Sequence, residues 1–160
     1  MKLLLCIISI LLDLLFSNII KYNTFSIPIF FPMFTISTIV FISNYYKYKD
    51  RKNYYYFILL ISIIYDVFFI NNLLITCFLF ELLAIINIKI RKFYSNNLLL
   101  NIISLMISIF IYDTLFHVLL VVVKYQNFNI NRLIFKYTHS ILLNVIYILF
   151  MFIVLKPQKA

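Results

Sequence analysis

The sequence predicts an all-α fold, a polytopic membrane bundle of about six transmembrane helices, and three observations carry that reading. Of 160 residues, 65% are hydrophobic and only 12% are charged, whereas soluble domains carry about 25% charged residues. The apolar residues fall into six long runs, at about 3–20, 25–43, 54–70, 73–90, 98–123 and 133–155. Each run is near the roughly 17–25 residues that a helix needs to cross a hydrocarbon core. Most of the basic residues flank the runs. A soluble fold of this size leaves too much of its surface wet to hide so much apolar matter. The whole chain, residues 1–160, therefore reads as one transmembrane domain.

The first run follows Lys2 and superficially matches a signal peptide. No small-residue cleavage site follows it, and Asp13 interrupts the apolar stretch, so it reads as a retained helix. Cys6 lacks the small neighbours of a lipoprotein cleavage site. Pro28 and Pro32 fall early in the second run. Proline is tolerated in a first helical turn, where its missing donor is not needed, so Pro32 marks either a kink or the true start of this helix. The third and fourth runs are joined by Asn71-Asn72 and form a tight hairpin. Tyr45, Tyr46, Tyr48, Tyr54, Tyr55 and Tyr56 bracket the basic loop before the third run, at the depth where amphipathic rings favour the interface. The fifth and sixth runs are the longest and need no such extension. Apolar residues are continuous in every run, which is not the alternating pattern of a membrane barrel.

Lysine and arginine set the orientation. With the N-terminus inside, the cytoplasmic segments hold ten basic residues: Lys2, Lys47, Lys49, Arg51, Lys52, Lys89, Arg91, Lys92, Lys156 and Lys159. The outer segments hold four, namely Lys21, Lys124, Arg132 and Lys136. This bias places both termini in the cytoplasm (N-in/C-in). The net charge of +9 is then explained by topology and by anchorage to anionic lipid. A nucleic-acid ligand is excluded, because no soluble basic face exists to receive it. Lys47, Lys49, Arg51 and Lys52 form the strongest basic cluster, a cytoplasmic anchor or a docking surface for an acidic partner.

Five acidic residues are present: Asp13, Asp50, Asp66, Glu81 and Asp113. Only Asp50 falls in a polar loop. A charge at the bilayer centre costs about 2.5–3.5 kcal/mol on insertion scales, so the other four need partners, and function is sought there. In the orientation above, Asp13 and Asn18, Asp66 with Asn71 and Asn72, Asp113 with His117, and His139 with Asn144 all fall toward the outer side. Glu81 falls near the middle of the fourth run. Asp113 and His117 share a helix face at i,i+4. That spacing suits a proton relay, a pair of metal ligands, or a local ion pair, and the local pair is favoured because metal sites take three or four ligands. His139 would be a third ligand, but Cys6 lies at the wrong depth. No metal and no cofactor is expected. Cys6 and Cys77 sit inside apolar runs and form no spaced framework.

Glycine is absent, and alanine occurs only at Ala84 and Ala160. Close packing through GxxxG is therefore not available, and Ser104 and Ser108 supply the small-xxx-small pair in its place. The lack of glycine also removes the turns that build an oxyanion hole, and no Ser-His arrangement with a supporting third group is visible. Catalysis is not expected.

The stretch LLDLLFSNII followed by IPIFFPMFTISTIVFI, then a basic loop, then IIYDVFFINNLLITCFLFELLAIINIKI, resembles the rod shape-determining protein MreD family. In that family a proline opens the second helix, and a helix ending in Asp is followed by a short turn and another helix. Asp66, with Asn71 and Asn72 after it, occupies that place. The glycines usual around that Asp are missing here. The resemblance implies a non-enzymatic component of the bacterial plasma membrane in the cell-elongation, or elongasome, machinery. Such a protein binds MreC directly and, through it, MreB filaments and the peptidoglycan-synthesis enzymes RodA and its transpeptidase partner. It also implies a fold similar to the substrate-binding subunits of vitamin importers, so the alternative function is a small-solute-binding membrane subunit or transporter. The contact candidates are then Asp13, Asp66, Asn71, Asn72, Glu81, Asp113, His117 and His139.

Overall fold

The computed structural model describes residues 2–22, 33–46, 48–69, 75–93, 97–124 and 127–155. It contains α1 (Lys2–Tyr22), α2 (Phe34–Ile42), α3 (Arg51–Phe69), α4 (Ile75–Phe93), α5 (Leu98–Val122) and α6 (Ile130–Leu155). Turns of 3-10 helix follow α2 at Ser43–Tyr45 and precede α3 at Tyr48–Asp50. No strand occurs among the described residues, and the all-α reading holds.

The helix boundaries differ from the apolar runs in physically instructive ways. The second run is helical only from Phe34, because Met33 is in a non-helical conformation. Residues 25–32, with Pro28 and Pro32, lie outside the described residues. The sixth helix begins at Ile130, before its apolar run, because Asn129 caps it. The Asn129 side chain accepts from Arg132 N at 3.1 Å and its carbonyl from Leu133 N at 3.3 Å. Lys136, expected in an outer loop, is therefore inside α6. The fourth helix continues to Phe93 and carries Arg91 on its last turns, where a cation complements the helix dipole. The fifth ends with Lys124 at φ 59, a left-handed cap usually taken by glycine, which this chain lacks.

Neighbouring helices pack as hairpins, with the largest contacts between α3 and α4, α5 and α6, and α1 and α2. Side chains fix the register. Asn87 of α4 meets Ser104 and Ser108 of α5, and Tyr137 of α6 meets Phe110 and the Met106 carbonyl of α5. At the centre stands α2, which touches α1, α4, α5 and α6. Every residue from Met33 to Asn44 is buried. Including its 3-10 turn, this helix rises only about 18 Å, well short of a hydrocarbon core of about 30 Å.

The distribution of polarity is the reverse of a soluble domain. Leu3, Leu4, Leu11 and Leu15 on α1, Val67 and Phe68 on α3, and Leu142, Ile146, Phe150 and Ile153 on α6 all point outward. Ser9, Asp13, Thr35, Ser37, Thr38, Asn44, Asp66, Asn87, Asn101, Ser104, Ser108, Asp113 and Asn144 point inward. Monomeric soluble proteins rarely expose contiguous apolar patches beyond a few hundred Å². Two helices, Leu98–Val122 and Ile130–Leu155, are long and apolar enough to cross a bilayer by length and composition.

Candidate functional site

The buried polar groups gather around the two ends of α2. An α-helix leaves its first N–H groups and last carbonyls without intrahelical partners. Buried in an apolar bundle, each such group is costly unless another element supplies a partner. Here the neighbours supply them.

At the N-terminus of α2, Asp13 of α1 accepts three hydrogen bonds. Phe34 N donates to Oδ1 at 2.8 Å, and Thr35 N and Thr35 Oγ1 donate to Oδ2 at 3.0 and 2.7 Å. Asn144 of α6 completes the cap. Its Oδ1 accepts from Met33 N at 3.2 Å and from Ser37 Oγ at 3.0 Å, while its amide donates to Ser140 O at 2.7 Å. One turn on, Thr38 Oγ1 lies 3.2 Å from the Tyr147 hydroxyl. Phe34 fills the space between with Phe16 and Tyr147 rings at 5.4 and 4.7 Å. A carboxylate at this position also meets the positive end of the helix dipole. Asp13 is thus an N-cap supplied by a different helix.

At the C-terminal end, Arg91 of α4 plays the opposite role. Its guanidinium donates to Ser43 Oγ and Asn44 Oδ1, to Val40 O at 3.1 Å, and to Asn101 Oδ1 of α5 at 2.8 Å. Asn44 Nδ2 donates to Phe41 O at 2.8 Å and to Asn101 Oδ1 at 2.9 Å. The Tyr54 hydroxyl of α3 takes Ile39 O at 3.0 Å. Three consecutive carbonyls, Ile39 to Phe41, are therefore occupied by donors. The planar fork of arginine suits this task, since it offers several donors in fixed directions. An anionic cap and a cationic cap thus grip the same short helix from opposite ends.

A second seam joins α4 and α5. Asn87 accepts from Ser104 Oγ and donates to Ser108 Oγ at 3.2 Å and to its own Leu83 carbonyl at 2.8 Å. The small-xxx-small pair lies at a helix contact and also supplies hydroxyls to it.

The remaining acids lie toward the end of the bundle where α3 meets α4 and α5 meets α6. Asp66 is fully buried and receives the Cys77 thiol on Oδ2 at 3.6 Å, and Cys77 in turn takes Ser62 Oγ at 3.2 Å. Asp113 pairs with Lys136 of α6, Nζ to Oδ1 at 2.6 Å. His117 accepts Asn129 N at 3.3 Å on Nε2 and lies 5.4 Å from the Phe128 ring, so it steadies the entry to α6. His139 Nδ1 lies 2.8 Å from its own Phe135 carbonyl and stacks on that ring at 3.9 Å. The Asp113 ion pair is made across helices. Among the described residues, no group of three His, Cys, Asp or Glu side chains is placed to hold a metal ion.

Asn71, Asn72 and Lys47 lie outside the described residues, as does the Asn18 side chain. Lys49, Arg51 and Lys52 are exposed at the start of α3. Sequence reasoning did not single out Arg91, Asn101, Asn44 or Asn87. A signal did exist for part of this set. Asn101, Ser104, Ser108 and Tyr112 recur at helical spacing and mark one polar stripe on α5. Nothing in the sequence sets Arg91 apart from Lys89 and Lys92.

No family model, no curated protein and no solved structure matches the chain.

Proposed function

We propose that this chain is a six-span, multi-pass protein of the bacterial plasma membrane, with both termini in the cytoplasm. On this reading it is a non-enzymatic scaffold of the cell-elongation machinery that holds MreC directly and, through it, MreB, RodA and its transpeptidase partner. The carrying observation is that Asp13, Asn144 and Arg91 are all committed to the ends of α2. Polar groups used in this way fix a rigid arrangement of helices. The position of Asp66 near the end of α3, ahead of Asn71 and Asn72 in the sequence, supports the family resemblance. Helix length supports a span at each helix other than α2, whose described part is short. With 19 to 21 residues each, α1, α3 and α4 rise about 28–31 Å, which matches a hydrocarbon core of about 30 Å. The outward leucines, isoleucines and phenylalanines support lipid as the surrounding solvent.

The solute-binding alternative is weakened at one specific place. Transporters often use a buried half-helix N-terminus to hold an anionic substrate group. In this bundle Asp13 and Asn144 already fill that position. The test of the proposal is depletion in the native bacterium together with affinity purification of the intact protein. Rounded cells and co-purified MreC are expected. Normal rods after complete removal, or saturable thermal stabilisation by a vitamin or metal ion, reject the scaffold reading. Cysteine-accessibility labelling that places residue 71 on the same side as residue 51 rejects the topology.

A further inference from the structure

Two of the acids inside the apolar runs have strong partners across helices. Asp13 has three donors and Asp113 has Lys136. Between α3 and α4 the pattern changes. Ser62 and Asp66 on α3 face Cys77 on α4, and Glu81 follows Cys77 at i+4 on the same stripe. Asp66 Oδ1 and Glu81 Oε1 are both buried and without a hydrogen-bond partner among the described residues. Asp66 is fully enclosed, whereas Glu81 is half-buried and reaches the outer surface. Phe78 and Ile85 lie beside Glu81 at i−3 and i+4 and are 61% and 41% exposed, and Val67, next to Asp66, is 62% exposed. A carboxyl with a buried unpaired oxygen therefore sits at the edge of a surface that is otherwise apolar. Lipid tails offer it no donor, and an unpaired polar group there is costly.

From this we infer that the outward face of α3 and α4 around Glu81 docks a transmembrane helix of a different protein, which brings a lysine or arginine to the Glu81 carboxyl. Charge complementarity selects the occupant. Among the described side chains, a second copy of this chain does not supply the cation. Glu81 lies six residues into α4 from Ile75, and Lys136 lies six residues into α6 from Ile130, so each is about 9 Å along its helix. Lys136 is at the matching depth, but Asp113 already holds it. Lys2, Lys49, Arg51, Lys52, Lys89 and Arg91 belong to the opposite end of the bundle, and Lys124 and Arg132 lie at or beyond the helix ends. A bare metal ion is also disfavoured, since Asp66, Cys77 and Glu81 are not gathered as a ligand set. The inference rests on the membrane reading and is independent of the elongation role.

The test uses the full-length protein in its native membrane, with a photo-crosslinking phenylalanine at position 78 and a control at 146, which is exposed on α6. Position 78 is expected to give one heterologous adduct, and position 146 none. Mass spectrometry of the adduct should show a Lys or Arg inside the partner's spanning segment. Glu81→Gln should lower adduct yield by about three- to tenfold and Glu81→Lys by more than about tenfold, and replacing the partner's base with Glu should restore the Glu81→Lys yield. Glu81→Gln should keep the wild-type elution volume, which separates lost docking from lost folding. Self-adducts, equal labelling at both positions, a partner without an intramembrane base, or failure of the charge swap overturns the inference. A partner other than MreC that passes the charge swap leaves the docking intact and removes the elongation reading.

Discussion

The cross-helix cap on α2 gives a quantitative test of how this bundle is held together. Asp13 receives donors from Phe34 N, Thr35 N and Thr35 Oγ1 at 2.7–3.0 Å. Asp13→Ala strands all three. The Thr35 hydroxyl can rotate to a carbonyl of its own turn, but the two amides are fixed by the backbone. In water, an unsatisfied buried donor costs about 1–3 kcal/mol. Within the proposed membrane bundle the unfolded reference also finds partners, and interhelical hydrogen bonds average about 0.6 kcal/mol with a maximum of about 1.7. Two fixed amides, one hydroxyl and the lost charge–dipole attraction together give about 3 kcal/mol, roughly a hundredfold in the folding equilibrium. Asp13→Asn keeps one acceptor but turns the other position into a donor facing a donor, for a loss of about 1.5 kcal/mol. Thr35→Val removes only the hydroxyl contact, for about 1 kcal/mol or less. The assay is titration with sodium dodecyl sulfate from mixed micelles, read by circular dichroism and by dye labelling of Cys6, which is fully buried in the folded state. The expected order of loss is Ala, then Asn, then Thr35→Val. Asp13→Ala within about 0.5 kcal/mol of wild type, inside the range of ordinary surface substitutions, would refute the capping argument.

Three further outcomes follow from the same geometry. Arg91→Lys replaces a fork that serves four acceptors with a point charge of three donors, and should cost about 2 kcal/mol in the same titration. Lys136→Met leaves the buried Asp113 carboxyl without its cation and should cost about 3 kcal/mol, while the Asp113→Asn, Lys136→Met double variant should recover most of that loss in a double-mutant cycle. Lys124 holds a left-handed cap at φ 59, where glycine pays no steric penalty, so Lys124→Gly should raise stability by about 1 kcal/mol.

The sequence exposed the architecture more readily than the contacts. Helix positions were legible because lipid-length apolar runs and polar breaks are local features. Asp13, Asp66, Glu81 and Asp113 were legible as residues needing partners, since each interrupts an apolar run. Their partners were not, because pairing is set by helix packing across large sequence separations. Asp13 meets residues 21 and 22 positions away, and Asn144 meets Met33 from 111 positions away. Lys136 counts with the outer basic residues in the charge bias, although it lies three residues inside the apolar run that begins at 133. The Asn129 cap moves the helix start back and places Lys136 opposite Asp113. Arg91 read as one of three inner basic residues. Only the tertiary fold turns it toward the carbonyls of α2, while Lys89 is exposed. Pro32 did carry a readable signal. A residue without an N–H, placed ahead of Met33, fits a helix whose first donors are satisfied by side chains of other helices.

The absence of glycine explains why this fold relies on polar clasps. Membrane helices usually approach through small residues, which allow close van der Waals contact between backbones. Here the small buried residues are mostly serines, such as Ser9, Ser37, Ser62, Ser104 and Ser108, and their hydroxyls bring polar groups to the helix contacts. The stabilisation that remains available comes from hydrogen bonds and ion pairs across helices, and these are directional. Directionality explains the placement. The clasps sit where backbone groups are already unpaired, at both ends of a helix too short to hide its termini outside the apolar zone. Each clasp then satisfies a donor or acceptor that would otherwise be stranded, and also sets the position of a neighbouring helix. Asp13 fixes α1, Asn144 fixes α6, Arg91 fixes α4 and Asn101 fixes α5 against the same element. Loss of a single clasp should therefore loosen one neighbour rather than open a cavity. A chain built in this way holds its own helices in a constant geometry, and the docking proposed at Glu81 depends on that geometry.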